Sequence, residues 1–456
     1  MRANDSKNAV TVEYTRKPLS GWGGLLSLVE FMDRLGVREV LRAVLPDGRT
    51  SPNQVDVVDT VVGLWLAAAT GGRRFAHVER LRGDEALRVL ARVSRFPSDS
   101  VVSRYFSNFT PSQNEALQTR LRSLFDYRLG GTEDILDFDS TTLTRYGSQE
   151  GSAKGYHPSR PGLRSHQPML AMLAGAKMIA HAWLRCGNSS TLKGAAEFMR
   201  ETVAGLPPDL KIKCIRADSG FMSDAILNTI EEMKLDFVIA AKMTQHLRRY
   251  CAGLSGWQRV SSDVEISSGE FKPFKWAQAR RVVVLRRHVG APSPLFGIAE
   301  YDYDAFFTSL QADAADVWKI YRGRGDCENR IKELKNDFGI GGFCLKSFIG
   351  TEVTFRLLCA LYNIVAEFKR VALEDTSLTL GTIRHRIFVM GVALGRSARR
   401  ILLRLGLTGR WSRDFDLLRA RIDAFDPTTP RPPQTTEPAT PSLWRLRQPP
   451  LLLTAN

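Results

Sequence analysis

Between Gly21 and Val93 apolar residues recur at steps of three and four. Leu25, Leu28, Met32 and Leu35 share one face and predict a helix. Pro52 is placed to open a second helix, with Val55, Val58, Val62 and Trp65 at the same interval. Phe75, Val78 and Leu81 mark a shorter basic helix after GGRRF. Beyond the break at Pro97, Ser98 or Ser100 caps a helix that turns Val102, Tyr105, Phe106 and Phe109 inward. Residues 1–19 are polar and read as loose.

The period then changes. DILDFDSTT, Asp134–Thr142, alternates apolar and acidic residues and reads as a strand ending in a hydroxyl-rich turn. Met169–Ala176 and Met178–Leu184 form a hairpin pattern, followed by a helix over Thr191–Ala204. A strand at Ile212–Ile215 runs into RADSGF, then a helix at Ser223–Lys234 and a strand at Asp236–Ala241. From His246 to Leu310 helical periodicity lapses, and Val264–Ile266, Val282–Leu285 and Leu295–Tyr301 read as strands between Gly, Ser and Pro. A polar helix over Tyr321–Lys335 precedes a strongly apolar one at Thr351–Val371, read as core packing. RSARRILLR, Arg396–Arg404, is either a solvated helix or a strand edge, with phosphate contact as a further option. Prolines crowd between Pro427 and Pro450, which predicts a disordered tail.

Composition narrows the partners. The 456 residues are 43% hydrophobic and 25% charged, with 64 Lys and Arg against 48 acids, a net charge of +16. Such an excess favours a polyanion, nucleic acid ahead of an anionic membrane. The 6 cysteines form no C-x-x-C pair and the 7 histidines no H-x3-H cluster, which argues against a zinc knuckle or disulfide framework. MRANDSKNAVTVEY lacks the apolar segment of a signal peptide, and Val61–Thr70 is too short to span a bilayer. A cytoplasmic protein is expected, with no membrane partner.

The candidate chemistry centres on YRGRGDCENRIKELK. On a continuous helix Tyr321, Arg324, Glu328 and Lys335 lie within roughly 60° of one another. Taken alone this is a solvated helix with an Arg324–Glu328 ion pair. The spacing Y-x2-R-x3-E-x6-K, however, resembles the signature of bacterial insertion-sequence transposases with an Asp-Asp-Glu triad. LDFDSTT and RADSGF supply the two upstream aspartates, Asp139 and Asp218.

That resemblance implies a ribonuclease H-like α/β core, a mixed sheet flanked by helices and interrupted by a β-rich insertion. It is combined here with an α-helical N-terminal domain and a helical C-terminal region. The expected divisions are 1–130 for DNA binding, 131–245 for the first part of the core and 246–312 for the insertion. The signature helix at 313–345, a mainly helical region at 346–425 and the tail at 426–456 complete the chain. The family further implies that Asp139, Asp218 and Glu328 are catalytic and ligate two Mg2+ ions, Mn2+ being possible. Two such ions about 4 Å apart activate a hydroxyl and stabilise the leaving oxygen. It implies DNA phosphate contacts by Tyr321, Arg324 and Lys335.

Asp137 competes with Asp139, which is preferred because Ser140–Thr142 follow it as in the family; Asp134 is a weaker neighbour. The loop GYHPSRPGLRSHQP offers Arg160, Arg164 and His166, beside Lys154, either to the DNA path or merely to solvent. Arg104, with Ser103, is a candidate groove contact. Trp257 and Trp276 either stack on a flipped base or pack in the insertion's core. The expected function is a DNA transposase that binds terminal inverted repeats as a homodimer on double-stranded transposon ends and target DNA. It would cleave and join strands with metal, in the bacterial cytoplasm at the nucleoid. A nuclease that cuts without joining and a domesticated DNA-binding protein are the alternatives.

Overall fold

The structure is a computed structural model that describes residues 12–47, 51, 53–158, 160–288 and 301–428. Pro52, most of the Leu295–Tyr301 strand and most of the proline-rich tail lie outside the described residues. The centre of the molecule is a nine-stranded sheet. Its strands are β1 Glu133–Ser140, β2 Met169–Leu173, β3 Met178–Trp183, β4 Lys211–Ala217 and β5 Phe237–Ala240. The others are β6 Gln258–Arg259, β7 Val264–Phe271, β8 Arg280–His288 and β9 Tyr301–Thr308. Their order is β6-β7-β8-β9-β5-β4-β1-β2-β3. β1 runs parallel to β4, and β4 to β5, while β1, β2 and β3 form an antiparallel meander.

Side-chain alternation explains what β1 does. Leu136 and Phe138 point to one face and are fully buried; the Phe138 ring meets Phe198 edge-on at 5.8 Å. Asp137 and Asp139 therefore share the other face. β4 brings Asp218 to the same end of the sheet, since Phe138 pairs with Ala217 in register.

The region after β5 continues the central sheet. It opens with a helix, Gln245–Ala252, and β9 then pairs antiparallel with β5, so that β6 to β9 extend the central sheet. Edge pairing satisfies the backbone groups that β5 would otherwise leave open.

The N-terminal region is helical, as expected. Asp56 caps Val57–Ala69 and Ser98 caps Asp99–Ser107. The helix Pro111–Ser123, not expected from the apolar periodicity, is signalled by a Thr110–Gln113 capping box and by Pro111 at its first position. The segment read as loose up to residue 19 is ordered at its end, where Leu19–Ser20 pairs with Val392–Ala393. RSARRILLR is a strand edge: Val392–Ser397 and Arg400–Leu405 form a hairpin, so the C-terminal region is not wholly helical.

Phe348–Phe368 is long and apolar enough to cross a membrane by length and composition, yet most of its residues are buried inside the protein. It joins the two halves. Trp65 Nε1 donates to the Leu357 carbonyl at 2.8 Å, and the Asn363 amide brackets the Ile179 backbone of β3 at 2.7 and 2.8 Å. Near its end, buried Glu367 accepts bonds from Tyr127 and Arg128, both at 2.6 Å, and from Arg370. Desolvation opposes ionisation of Glu367, but these donors outweigh it and lower its pKa.

The signature segment is not one helix. Ala314–Arg322 and Gly325–Asn336 are separate, joined by a turn at Gly323–Arg324. Tyr321 therefore ends the first helix, while Glu328 and Lys335 stand on the second. The Arg324 amide donates to the Tyr321 carbonyl, one residue short of a helical bond, and the Ile320 carbonyl accepts from the Arg216 guanidinium.

Candidate active site

Asp139 stands at the end of β1, 7% exposed. One carboxylate oxygen, Oδ1, accepts from the Ser140 amide at 2.8 Å; Oδ2 lies 2.9 Å from Arg324 Nη2. Arg324 Nη1 reaches Glu328 Oε1 at 3.1 Å, while Nε of the same guanidinium is buried without a partner. Burial raises the Asp139 pKa to about 6; Arg324 pulls it down, and the charges of Asp218 and Glu328 push it up. Asp139 thus feels both other acids, beside a buried guanidinium that pairs it with Glu328. Asp218 Oδ1 accepts from the Gly220 amide at 2.9 Å, which fixes the carboxylate at the turn after β4. Glu328 is the exposed member.

The rest of the signature gathers here too. Tyr321 packs on Phe306 with ring centres 4.3 Å apart and the rings tilted; burial raises its pKa, with Asp218, Glu328 and Asp139 adding to the rise against Arg324. Lys335 is half-buried: desolvation lowers its pKa, and Asp139 is the charge that opposes the fall. Sharing a helix face was not needed for this convergence.

Register gives the neighbouring aspartates different partners. Asp137 faces Arg216 across the β1–β4 pair and takes its guanidinium in a fork, Nε to Oδ1 at 2.6 Å and Nη2 to Oδ2 at 2.7 Å. Both are buried, so Asp137 is committed to the sheet. Asp134 is committed as well, accepting from the Gly175 and Ala176 amides at 2.6 and 2.8 Å to close the β2–β3 turn. The reading from sequence missed Arg216; its one signal was its place two residues before Asp218, as Asp137 is two before Asp139.

Other expected contacts lie elsewhere. Arg104 is exposed on Asp99–Ser107 and lines a cavity of about 600 Å3 with Tyr105, Asn108 and Arg95. Arg160 bonds the Tyr146 hydroxyl at 2.7 Å. Arg164 turns its guanidinium onto the Ser152 carbonyl at 2.6 Å, bracing its own small sheet. His166 does not line any path: it is fully buried, accepts from Arg145 Nε at 2.9 Å and donates to the Glu150 carbonyl. Burial lowers its pKa to about 4, so it is neutral. Trp257 has the Arg286 guanidinium 4.1 Å from its ring centre, and Trp276 packs on Phe307 at 5.1 Å. Those faces are occupied by the protein itself.

The donor set suits a hard divalent cation, since all three acids offer oxygen and one is open to solvent. Among the described residues no three acidic, histidine or cysteine side chains lie close enough as they stand to hold an ion together. Arg324 supplies the positive charge between Asp139 and Glu328 instead.

A mixed sheet that gathers carboxylates and cations at the ends of two parallel strands defines an α/β protein with a polar, charge-coupled site. The chain belongs to the transposase DDE domain group 1 family, whose sequence model matches residues 2–426. As a DDE transposase it is an enzyme of DNA transposition, in a family that generally uses divalent metal ions. A solved piggyBac transposase synaptic complex with hairpin DNA is similar at 12% identity and a TM-score of 0.43, over 94% of this chain and 91% of that one. No curated protein matches the chain.

Proposed function

We propose that this transposase is encoded by a bacterial insertion sequence, binds that element's terminal inverted repeats, and cleaves and joins DNA strands with Asp139, Asp218 and Glu328 as its catalytic acids. The observation that carries the reading is Arg324, which bridges Asp139 and Glu328, with Asp218 acting on Asp139 from the end of the adjacent parallel strand β4. The sheet order β3-β2-β1-β4-β5, with β1 central, supports a ribonuclease H-like core.

Asp139, Asp218 and Glu328 would hold two divalent ions, Mg2+ or Mn2+, which would supply charge stabilisation and nucleophile activation for in-line phosphoryl displacement. The Ser140 and Gly220 amides keep Asp139 and Asp218 oriented. Arg324 gives up its carboxylates and turns its free donors to a backbone phosphate, with Lys335 and Tyr321 beside it. Phosphate contacts of this kind fix register without reading sequence. The enzyme works as a homodimer on two ends, in the cytoplasm on nucleoid DNA.

The test is a joining assay with pre-cut end DNA, target DNA and Mg2+. Joined products are expected from the wild type, and none from Asp139→Asn, Asp218→Asn or Glu328→Gln, each of which keeps end binding in a gel shift. Cutting without joining would make the protein a nuclease. Binding without either would make it a DNA-binding protein only.

A further inference from the structure

Behind the acids lies a second, buried contact that links sheet to helix. Arg216 is 3% exposed in β4; its Nε and Nη2 are locked by Asp137, and Nη1 leaves the sheet to bond the Ile320 carbonyl in the last turn of Ala314–Arg322. One guanidinium therefore ties β1, β4 and the end of that helix. Each tied point is close in sequence to a site residue: Asp137 to Asp139, Arg216 to Asp218, Ile320 to Tyr321 and Arg324.

Gly323 is an independent observation. Its φ of −59° and ψ of −14° are ordinary helical values, and the residue is exposed, so nothing in its backbone asks for glycine. What asks for it is space: a Cβ there would sit 2.5 Å from Arg216 Nη1. Arg216 cannot swing aside freely, because Asp137 holds the rest of its guanidinium. A methyl at residue 323 would break the bond to Ile320 while sparing the ion pair.

We infer that Arg216 is a positioning residue, whose bond through the gap at Gly323 sets the place of Arg324 and Glu328 relative to Asp139 and Asp218. The inference rests on the proposed role of those acids. The Ile320 carbonyl, held by Arg216, is withheld from the helical ladder; the Arg324 amide turns to Tyr321 instead, and the chain bends into the turn that points Arg324 at Asp139. Metal affinity and turnover then depend on a group that touches neither metal nor DNA.

Gly323→Ala separates this from a purely structural role. Judged by helix propensity and chain entropy alone, alanine at an exposed helical position stabilises or is neutral. The inference expects a modest fall in melting temperature, from the buried bond lost at Arg216, and unchanged affinity for end DNA. It also expects at least a tenfold loss in kcat for strand nicking, at least a fivefold weaker Mn2+ affinity by calorimetry without DNA, and faster amide exchange confined to residues 320–325. Arg216→Lys, which keeps the charge but not the fork, should weaken Mn2+ binding as well. Adding Gly323→Ala to Arg216→Lys should then cost little more, because the bond is already lost.

If Gly323→Ala binds Mn2+ and turns over like the wild type, the inference falls and the catalytic reading stands. If wild type takes up no Mn2+ and nicks no DNA, both fall. A loss shared equally by melting temperature, end binding and turnover would reduce Arg216 to a fold-stabilising residue and would also overturn the inference.

Discussion

Arg324 holds Asp139 at 2.9 Å although the two stand on different elements, one at the end of a central strand and the other in the turn between two helices. Both are 7% exposed. The guanidinium neutralises a carboxylate that burial would otherwise protonate, yet it keeps one donor nitrogen unpartnered. That balance marks the site as charged, constrained and incompletely satisfied, a combination common where ligands bind.

The raised pKa of Asp139 makes stability fall with pH. Its folded value is about 6 against an ordinary 3.8, so the folded state holds the proton more tightly than the unfolded chain. The stability that this carboxyl contributes is complete below the unfolded value and lost as pH rises through about 6. Asp139→Asn should gain on the wild type by up to about 3 kcal/mol between acid and neutral pH, on top of a constant offset from replacing the neutral carboxyl by an amide. Urea denaturation of both proteins across that window measures it. Parallel stability profiles would contradict the assignment.

Arg324→Ala and Lys335→Ala should part company in stability while both lose strand cleavage. Removing Arg324 strands a buried carboxylate and should cost about 1–3 kcal/mol above pH 7, less at pH 5, where Asp139 protonates. Lys335 suffers from its own burial, so its removal should cost under about 1 kcal/mol. Denaturation curves beside a nicking assay decide the matter; equal losses of stability would mean that the Arg324–Asp139 pair is energetically idle.

Glu367 offers a test of the scaffold away from the site. Its carboxylate is fully buried among Tyr127, Arg128 and Arg370. Glu367→Ala should destabilise by about 3–5 kcal/mol, since it leaves the Arg128 charge buried and uncompensated. Chemical denaturation gives the number, and a loss below about 1 kcal/mol would show that water or another carboxylate replaces it.

DNA binding should weaken steeply with salt, because a chain of net charge +16 that neutralises several phosphates releases their counterions. The slope of log affinity against log salt reads how many. A flat slope would place the excess charge away from DNA.

Much of this was legible in the chain. Alternation in DILDFDSTT and the turn in RADSGF mark strand ends that carry Asp139 and Asp218, because a strand's period of two and a turn's need for short polar residues or glycine are local rules. Ser98 as a cap and the buried Leu25–Met32 face follow from equally local chemistry. The capping box at Thr110 was legible too, and was overlooked.

The partners of those residues were decided elsewhere. Asp137 and Asp139 share one face, so periodicity cannot choose between them; the register that sets Arg216 opposite Asp137 does. A continuous signature helix is a fair expectation from spacing, but Arg216, distant in sequence, takes the Ile320 carbonyl and breaks it. The segment after β5 is β-rich in its pattern, yet only strand pairing shows it continuing the central sheet. Sequence by itself determined most of the helices, strands, caps and turns, since those preferences act over a few neighbouring residues. Tertiary structure alone decided which carboxylate is spent on the sheet and which is left to the site, since hydrogen bonds and ion pairs between distant residues exist only once the strands have set their register.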